Sequence, residues 1–384
     1  MSSSHEIEIK ELLAKVDSGQ PLLVLDVRND EDYENWKIEG RRQLQVTHIP
    51  YFDFIEDEQA AVQRLPRPQD EIAVVCAKGG SSEMVAELLR GLGLPARSLV
   101  GGMIAYGEYL EPVKVPVLGE EHSAFEIWQF NRRGKGCLSY IIISGDEAVV
   151  VDASRSVETY ESFLAGSHAR VSYVLDTHVH ADHISGGPAL AGKLNAPYCV
   201  SAGGDFDLRQ QVSTLADGDE LRLGKISIRV LATPGHTPGS VCYLVADRYL
   251  LSGDTLFTTS VGRPDLGGHV VEWSRDLFRT LRERIVLLAD STLVLPAHYG
   301  DVAEIGRAGV VAATLGELRR VLPELQIAEL ALFIEAMKRV VRTAPPEYTE
   351  VVNVNLGKIQ ADPDRLVEWE LGKNQCAASI SRAI

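Results

Sequence analysis

Apolar residues in the first third of the chain form short runs that end at charged or glycine-rich turns. The runs at residues 21–27 and 71–75 predict buried strands. The second run leads into a glycine-rich segment at 76–82 and then into residues 83–94, whose apolar positions recur at helical spacing. A strand, a glycine-rich loop and a helix in this order are typical of a ligand site in parallel α/β folds. We therefore predict a small α/β domain over residues 1–115.

The pattern changes after a proline-rich, charged stretch at residues 111–121, which has no periodicity and which we predict to be a linker. We expect the second domain to cover residues 116–384, where apolar runs follow one another closely and the first two form a hairpin. The tail beyond Glu317 contains helical stretches, and the pattern over 347–377 favours no element. The predicted strands of this domain are 138–143, 148–151, 171–175, 226–232, 241–245 and 293–295, and the longest predicted helix is 271–289.

Three histidines and an aspartate lie within six residues, directly after the predicted strand at 171–175. Single histidines or aspartates follow three later apolar runs, and the first of them, His236, lies in a turn where proline and glycine fix the backbone. A solvated polar loop is the alternative, but chance clustering of this kind is improbable in a chain with 10 histidines. Imidazole and carboxylate groups gathered at strand ends predict a metal site. The candidate ligands are His178, His180, Asp182, His183, His236, Asp254 and His298.

The order and spacing of these motifs resemble the metallo-β-lactamase superfamily over residues 120–310. The resemblance implies an αββα sandwich with its site at one edge of the two sheets. The predicted class is therefore α/β, with the small N-terminal domain followed by this sandwich. In that superfamily the ligands can hold two metals. By motif position one metal would be held by His178, His180 and His236, the other by Asp182, His183 and His298, with Asp254 as the bridge.

A further segment, Gly262-Arg263-Pro264-Asp265, resembles the persulfide dioxygenases of that superfamily. The resemblance implies one Fe(II) per chain, held by two imidazoles and one carboxylate in an arrangement that leaves positions open for the persulfide and O2. By position these ligands are His178, His236 and Asp254, and the other four candidates orient them and move protons. Arg263 and Asp265 are predicted to be catalytic, and a purely structural ion pair is the alternative.

The implied reaction is the oxidation of a low-molecular-weight thiol persulfide by O2 to sulfite and the thiol. An aspartate at position 254 disfavours the β-lactamases proper, where a cysteine commonly stands. The alternative function is that of a zinc hydrolase of the glyoxalase II type, in which Zn(II), one or two per chain, cleaves a thioester. The sequence does not identify the carrier thiol, and the alternatives are glutathione, coenzyme A, bacillithiol or another thiol.

The segment at 76–82 resembles the active-site loop of rhodanese domains, and the resemblance covers residues 5–112. Cys76 follows a predicted strand and precedes a predicted helix, where loop N–H groups and the helix dipole stabilise a thiolate. Ser81 stands where many such loops carry an arginine, so we predict Lys78 to be the cation beside a bound sulfur anion such as thiosulfate. The resemblance implies sulfur transfer at Cys76. The alternative is an idle cysteine in a sensing or docking domain.

Composition narrows the partners and the compartment. A net charge of −16 argues against nucleic acid, because nucleic-acid binders gather cations on one face. Five widely spaced cysteines without a CxxC pair favour a reducing cytoplasm over a disulfide framework. No apolar run approaches the ~18 residues of a membrane span. We expect small-molecule partners and a homodimer or tetramer. Cys137, Cys199 and Cys242 are predicted to be core residues, and Cys376 has no predicted role.

Overall fold

The computed structural model describes residues 5–66, 71–116, 124–203, 209, 211–265, 267–345 and 347–378. The chain divides into two compact units. The first unit comprises Met1–Tyr109, Arg132–Lys135 and Leu371–Lys373, and the second comprises Leu110–Asn131, Gly136–Glu370 and Asn374–Ile384. In the described part of the chain no helix combines the length and the apolar character that crossing a bilayer requires.

The first unit is a parallel five-stranded sheet flanked by helices, in which the strands lie side by side in the order Glu6–Ile7, Ala96–Leu99, Ile72–Val75, Leu23–Asp26 and Gln45–His48. The predicted runs at 21–27 and 71–75 form two of its three inner strands, and their side chains are buried throughout. Its strands are β1 (Glu6–Ile7), β2 (Leu23–Asp26), β3 (Gln45–His48), β4 (Ile72–Val75) and β5 (Ala96–Leu99). Its helices are α1 (Ile9–Ser18), α2 (Asp30–Asn35), α3 (Tyr51–Glu56), α4 (Glu58–Gln63), α5 (Gly80–Gly91) and α6 (Gly102–Glu108).

The second unit contains a seven-stranded and a six-stranded sheet, which confirms the predicted sandwich. The seven-stranded sheet contains β6 (Glu111–Lys114), β7 (Glu126–Arg132), β8 (Cys137–Ser144), β9 (Glu147–Val151), β10 (Arg170–Leu175), β11 (Tyr198–Ser201) and β12 (Ser213–Leu215). The six-stranded sheet contains β13 (Glu220–Leu223), β14 (Ile226–Ala232), β15 (Val241–Val245), β16 (Tyr249–Gly253), β18 (Leu293–Pro296) and β19 (Ala313–Thr314). A two-stranded pair joins β17 (Val261–Gly262) to β20 (Ala377–Ala378).

Eight helices belong to the described part of this unit, together with two 3-10 turns, Ile285–Leu287 and Val302–Glu304. The helices are α7 (Val157–Ser167), α8 (Gly187–Leu194), α9 (Val270–Glu283), α10 (Leu315–Val321), α11 (Pro323–Gln326), α12 (Leu330–Arg339), α13 (Glu347–Asn355) and α14 (Pro363–Trp369). The last two occupy the stretch for which the sequence pattern favoured no element.

Three apolar clusters account for the layers of the sandwich. The largest draws on both sheets, with Tyr140 and Val149 from one and Tyr243 and Leu251 from the other. A second cluster packs the outer face of the six-stranded sheet against α9, α10 and α12. A third packs the outer face of the seven-stranded sheet against α7 and α8. Cys137, Cys199 and Cys242 are buried in strands, as predicted.

The predicted linker is partly wrong, because its first four residues form β6, which pairs antiparallel with β7. This strand lies at the edge of its sheet, where Pro112 is tolerated since one side of an edge strand needs no ladder donor. The predicted helix at 271–289 also ends earlier, at Glu283, and continues as a 3-10 turn.

Strand ends place the candidate metal ligands on one side of the sandwich. The loop after β10 carries the histidine cluster, and the loops after β14, β16 and β18 carry His236, Asp254 and His298. Gly253 closes β16 at φ 52°, and a Cβ there would lie 2.6 Å from the Thr177 hydroxyl oxygen. The close approach of these two loops therefore requires glycine at this position.

Candidate metal centre

Ligand atoms of His178, His236 and Asp254 lie within 4.8 Å of one another, and all three residues are buried. Asp254 Oδ2 is 3.8 Å from His178 Nε2 and 3.4 Å from His236 Nε2. Neither His178 Nε2 nor Asp254 Oδ2 has a hydrogen-bond partner among the described residues. Buried polar atoms rarely lack partners, so these donors fit a metal ion bound between two imidazoles and a carboxylate.

The remote ring nitrogens of the two histidines have their own partners. His178 Nδ1 lies 3.0 Å from the Thr177 hydroxyl oxygen, and His236 Nδ1 lies 3.0 Å from the carbonyl oxygen of Arg263. Contacts of this kind fix the orientation and tautomer of a metal-binding imidazole. Each ring therefore points its Nε2 toward Asp254.

His180 is held differently from the two histidines beside it. Its Nε2 lies 3.1 Å from Asp152 Oδ1, and it forms a separate buried group with Asp152 and Asp176. Its ring centroid is 4.3 Å from that of His178, and its Nδ1 has no hydrogen-bond partner in the described chain. Asp152 also accepts from the Thr177 backbone N–H at 2.7 Å, so one carboxylate orients both the loop and the imidazole.

A second buried group contains Asp182, His183, His298 and, unexpectedly, Cys137. Asp182 holds the group together: its oxygens lie 3.0 Å from His298 Nε2, 3.2 Å from His183 Nδ1 and 3.3 Å from the Cys137 thiol. The prediction of Cys137 as a core residue was correct for its burial but missed this contact. The four residues form a closed set of mutual contacts beside the first group.

Burial and neighbouring charges shift the pKa values of the site residues in different directions. Burial lowers the pKa of both His178 and His236 below the ordinary value, which favours the neutral, ligand-competent imidazole. Burial lowers the pKa of His298 too, but Asp182 and Asp254 outweigh it and raise that pKa well above its usual range. Burial raises the pKa of Asp254, but His298 and His178 outweigh it and keep the carboxyl ionised.

Arg263 and Asp265, the other predicted site residues, form a buried bidentate ion pair. The two guanidinium–carboxylate distances are 2.8 and 2.7 Å. The same guanidinium donates to the carbonyl oxygens of Gln375, at 3.2 Å, and of Arg342. The Arg263 backbone N–H donates to the Cys376 carbonyl at 3.0 Å. The pair therefore fastens the C-terminal segment to the loop after β17.

Cys376 is fully buried, and its sulfur lies within 4.8 Å of ligand atoms of Asp254 and His298. Burial raises the pKa of this thiol well above its ordinary value. The segment around it is held by the pairing of β17 with β20 and by the Gln375 backbone N–H, which donates to the Tyr348 hydroxyl at 2.9 Å. The thiol therefore forms part of the wall of the metal centre. Sequence reasoning assigned it no role.

In the first unit, Cys76 lies between the end of β4 and the start of α5, as predicted. The Gly79 N–H donates to its sulfur at 3.1 Å, and the Ser82 hydroxyl lies 3.2 Å away. Gly79 has φ 112°, a conformation that a side chain would strain. Lys78 is exposed on the same loop. The loop thus directs the Gly79 N–H at the sulfur.

The two regions match known families. Residues 132–298 match the metallo-beta-lactamase superfamily and residues 8–108 the rhodanese-like domain. The chain is 32% identical over 182 residues to a hydroxyacylglutathione hydrolase from Haemophilus ducreyi, across 47% of this chain and 73% of that protein. The chain is 28% identical over 228 residues to the mitochondrial persulfide dioxygenase ETHE1 of Bos taurus, and the match covers 58% of this chain and 84% of that protein. The crystal structure of ETHE1 from Myxococcus xanthus, 27% identical, has a TM-score of 0.53 and covers 60% of this chain and 98% of that one.

Proposed function

This chain belongs to the metallo-beta-lactamase superfamily and carries a rhodanese-like domain, and from that membership we propose that it oxidises a low-molecular-weight thiol persulfide with dioxygen. The overall reaction is RSSH + O2 + H2O → RSH + sulfite + 2 H⁺, in which the outer sulfur is oxidised and dioxygen is reduced. The observation that carries the proposal is the grouping of His178, His236 and Asp254 with atoms left unpartnered between them. The similarity to persulfide dioxygenases supports it.

His178, His236 and Asp254 would hold one Fe(II), because two imidazoles and one carboxylate are a donor set that suits non-haem iron. Iron supplies the redox chemistry that dioxygen requires and that Zn(II) lacks. The protein's part is to hold the donors and to place the substrate. Thr177 and the Arg263 carbonyl fix the two imidazoles. His298, 2.5 Å from Asp254 Oδ1, turns the other oxygen toward them.

Protons are held beside the donors by a buried chain of side chains. The raised pKa of His298 gives it a proton on each nitrogen, one facing Asp254 and the other facing Asp182. Burial lowers the pKa of His183, but Asp182 and Cys137 raise it to about 10, so this imidazole is also protonated. The chain from Asp254 through His298 to Asp182 and His183 would pass protons between the metal-binding groups and their surroundings, supplying one to the departing thiolate and accepting those that sulfite formation releases.

We assign Arg263 and Asp265 a positioning role within this proposal. The guanidinium forms four contacts with Asp265 and the two carbonyls, so it holds Cys376 and its neighbours against the metal-binding groups. An arginine is suited to this because its planar fork meets a carboxylate and carbonyls together. The catalytic consequences of losing it would follow from displacement of the segment.

The N-terminal unit is proposed to transfer sulfur at Cys76. The thiolate would attack the outer sulfur of thiosulfate, release sulfite and retain one sulfur as a persulfide, which an acceptor thiol then removes. The N–H of Gly79 and the hydroxyl of Ser82 lie at the sulfur that changes charge during these steps. The exposed Lys78 is proposed to attract the anionic donor.

A zinc hydrolase that cleaves a thioester remains the second candidate, and one observation favours it. The group of Cys137, Asp182, His183 and His298 offers a further set of donor atoms beside the first. Two bound metals would activate water for attack on a carbonyl. The similarity to a hydroxyacylglutathione hydrolase supports this alternative.

An oxygen electrode separates the two candidates. Full-length protein purified anaerobically with Fe(II) should consume O2 when a small-molecule persulfide is added, and sulfite should accumulate in equal amount. The Asp254→Ala protein, which lacks the anionic donor, serves as the control and should consume none. Cleavage of a glutathione thioester under nitrogen, with no oxygen uptake on persulfide, would replace the oxidative proposal with the hydrolytic one.

A further inference from the structure

A cavity of about 580 Å³ opens beside His236, one of the three metal-binding candidates. The loops after β10 and β14 form one side, and the start of α9 and the first turns of α13 form the other. Its lining includes Thr237, Glu272, Trp273, Thr349, Val352 and Asn353. A carrier molecule bound in this cavity would place its sulfur beside His236.

The charges of the lining are unusual for a pocket that receives an anion. Among the described residues that line it there is no lysine and no arginine. Glu272 contributes a negative charge at the rim, 3.9 Å from the His269 imidazole, and both side chains are mostly exposed. A substrate carboxylate in a partly desolvated cavity is most strongly stabilised by a cation, which offsets its lost hydration. The described lining offers no such cation, and the Glu272 carboxylate repels an anion.

The remaining lining matches a neutral chain that carries amides. Trp273 and Val352 offer apolar surface, while Asn353, Thr237 and Thr349 offer donors and acceptors on the same walls. An amide buried without partners costs free energy, and such side chains supply those partners. Alkyl segments would pack against the indole and the valine. The lining thus combines the two kinds of contact that an alkyl-amide arm requires.

We propose that the carrier thiol reaches the metal centre through an uncharged alkyl-amide arm of the pantetheine type, and that carriers with carboxylates near the sulfur, such as glutathione, are disfavoured. The inference rests on the proposed function for its choice of a thiol. The cavity walls at Trp273, Glu272 and α13 would select between carrier thiols. The metal-binding residues take no part in that selection.

Binding can be measured without oxygen and without turnover. Quenching of Trp273 fluorescence in the full-length, metal-loaded protein reports on occupancy, and the Trp273→Phe protein identifies the signal of this indole. Pantetheine should bind at least about tenfold more tightly than reduced glutathione, a difference of about 1.4 kcal/mol. Equal binding, tighter binding of glutathione, or no binding of either thiol would overturn the inference.

A positive charge introduced on the cavity wall tests whether the charge of the lining causes the preference for pantetheine over glutathione. Thr349 is exposed and lines the cavity, so Thr349→Lys should tighten glutathione about fivefold or more and leave pantetheine within about twofold. Glu350→Gln is the matched control, because it also raises the net charge of α13 by one, by removing a carboxylate at an exposed position that does not line the cavity. Equal responses of the two variants, or no response of glutathione to the lysine, would contradict a wall-based selection.

The outcomes separate this inference from the function on which it rests. Oxygen uptake with pantetheine persulfide and not with glutathione persulfide supports both. Oxygen uptake that favours glutathione persulfide keeps the oxidative function and overturns the carrier class. Preferential binding of pantetheine without oxygen uptake from either persulfide overturns the function and leaves the selectivity of the cavity intact.

Discussion

Asp254 Oδ1 lies 2.5 Å from His298 Nδ1, while Asp254 Oδ2 faces His178 and His236. The Asp254 carboxylate therefore contacts two groups of residues, one through each of its oxygens. The first group has two unpartnered atoms, His178 Nε2 and Asp254 Oδ2, and fits a metal ion. In the second group His298 Nε2 also lacks a hydrogen bond, but it lies 3.0 Å from an oxygen of Asp182. A single-iron account follows, in which His298 acts through Asp254 rather than as a ligand of its own.

The variant His298→Gln tests this division. We expect it to keep close to one iron per chain, because no donor of the first group is removed, and to lower kcat about 10- to 100-fold, as changes beside a metal ligand commonly do. Elemental analysis and an oxygen electrode measure the two quantities. In Asp254→Ala the iron and the activity should instead be lost together. Loss of iron from His298→Gln to the same extent would make His298 a ligand and contradict the division.

The variant Arg263→Lys tests the positioning of the C-terminal segment. Lysine cannot reproduce the bidentate contact with Asp265 and the two carbonyls, so residues 374–378 should exchange amide hydrogens faster and kcat should fall about tenfold or more. Sulfur transfer by the N-terminal unit should stay unchanged. Arg229→Ala, which removes an exposed ion pair with Asp247, is the control and should alter neither. Unchanged exchange in a variant of low activity would point to a direct catalytic role.

The variant Cys76→Ser separates the two units by activity. We expect it to abolish the transfer of sulfur from thiosulfate to cyanide, because a hydroxyl cannot carry the persulfide, and to leave oxidation of a supplied persulfide unchanged. Cys199→Ser, a buried cysteine of the second unit, should retain the transfer. A wild-type chain that shows no transfer would instead favour the sensing or docking alternative.

The variant Gly102→Ala tests the geometry of the Cys76 loop. Gly102 has φ 58°, and a Cβ there would lie 2.3 Å from the Cys76 carbonyl oxygen, so the loop must shift. We expect sulfur transfer to fall sharply and the first unit to lose about 1–3 kcal/mol of stability. Gly91→Ala at the end of α5 meets no atom within 4 Å and should leave sulfur transfer unchanged. Thermal unfolding followed by circular dichroism reports the stability. A stable, active Gly102→Ala protein would refute the predicted constraint.

The sequence contained enough local information to predict the strands that carry the site. Predicted buried runs such as β10, β14 and β18 end a few residues before a histidine, and strand ends are where such folds place ligands. Asp152 has the same signal, since it follows β9 directly, and it could have been found by the same reasoning. Its orienting contact with His180 was nevertheless missed.

Contacts distant in sequence could not be predicted in the same way. Cys376 reaches Asp254 from more than one hundred residues along the chain, and no periodicity in residues 347–377 indicates that approach. Cys137 begins an apolar strand, so its pattern matches that of any core cysteine. The role of Arg263 depends on carbonyl oxygens of Gln375 and Arg342, which carry no sequence signal because every residue has one.

The metal content of the chain tests the central claim most directly. Protein produced with both iron and zinc available and purified without oxygen should contain close to one iron per chain. Nitric oxide should bind that iron at an open position and give the spectrum of an iron–nitrosyl species, and Asp254→Ala should abolish it. Two zinc ions per chain in fully active protein, with no iron, would contradict the account.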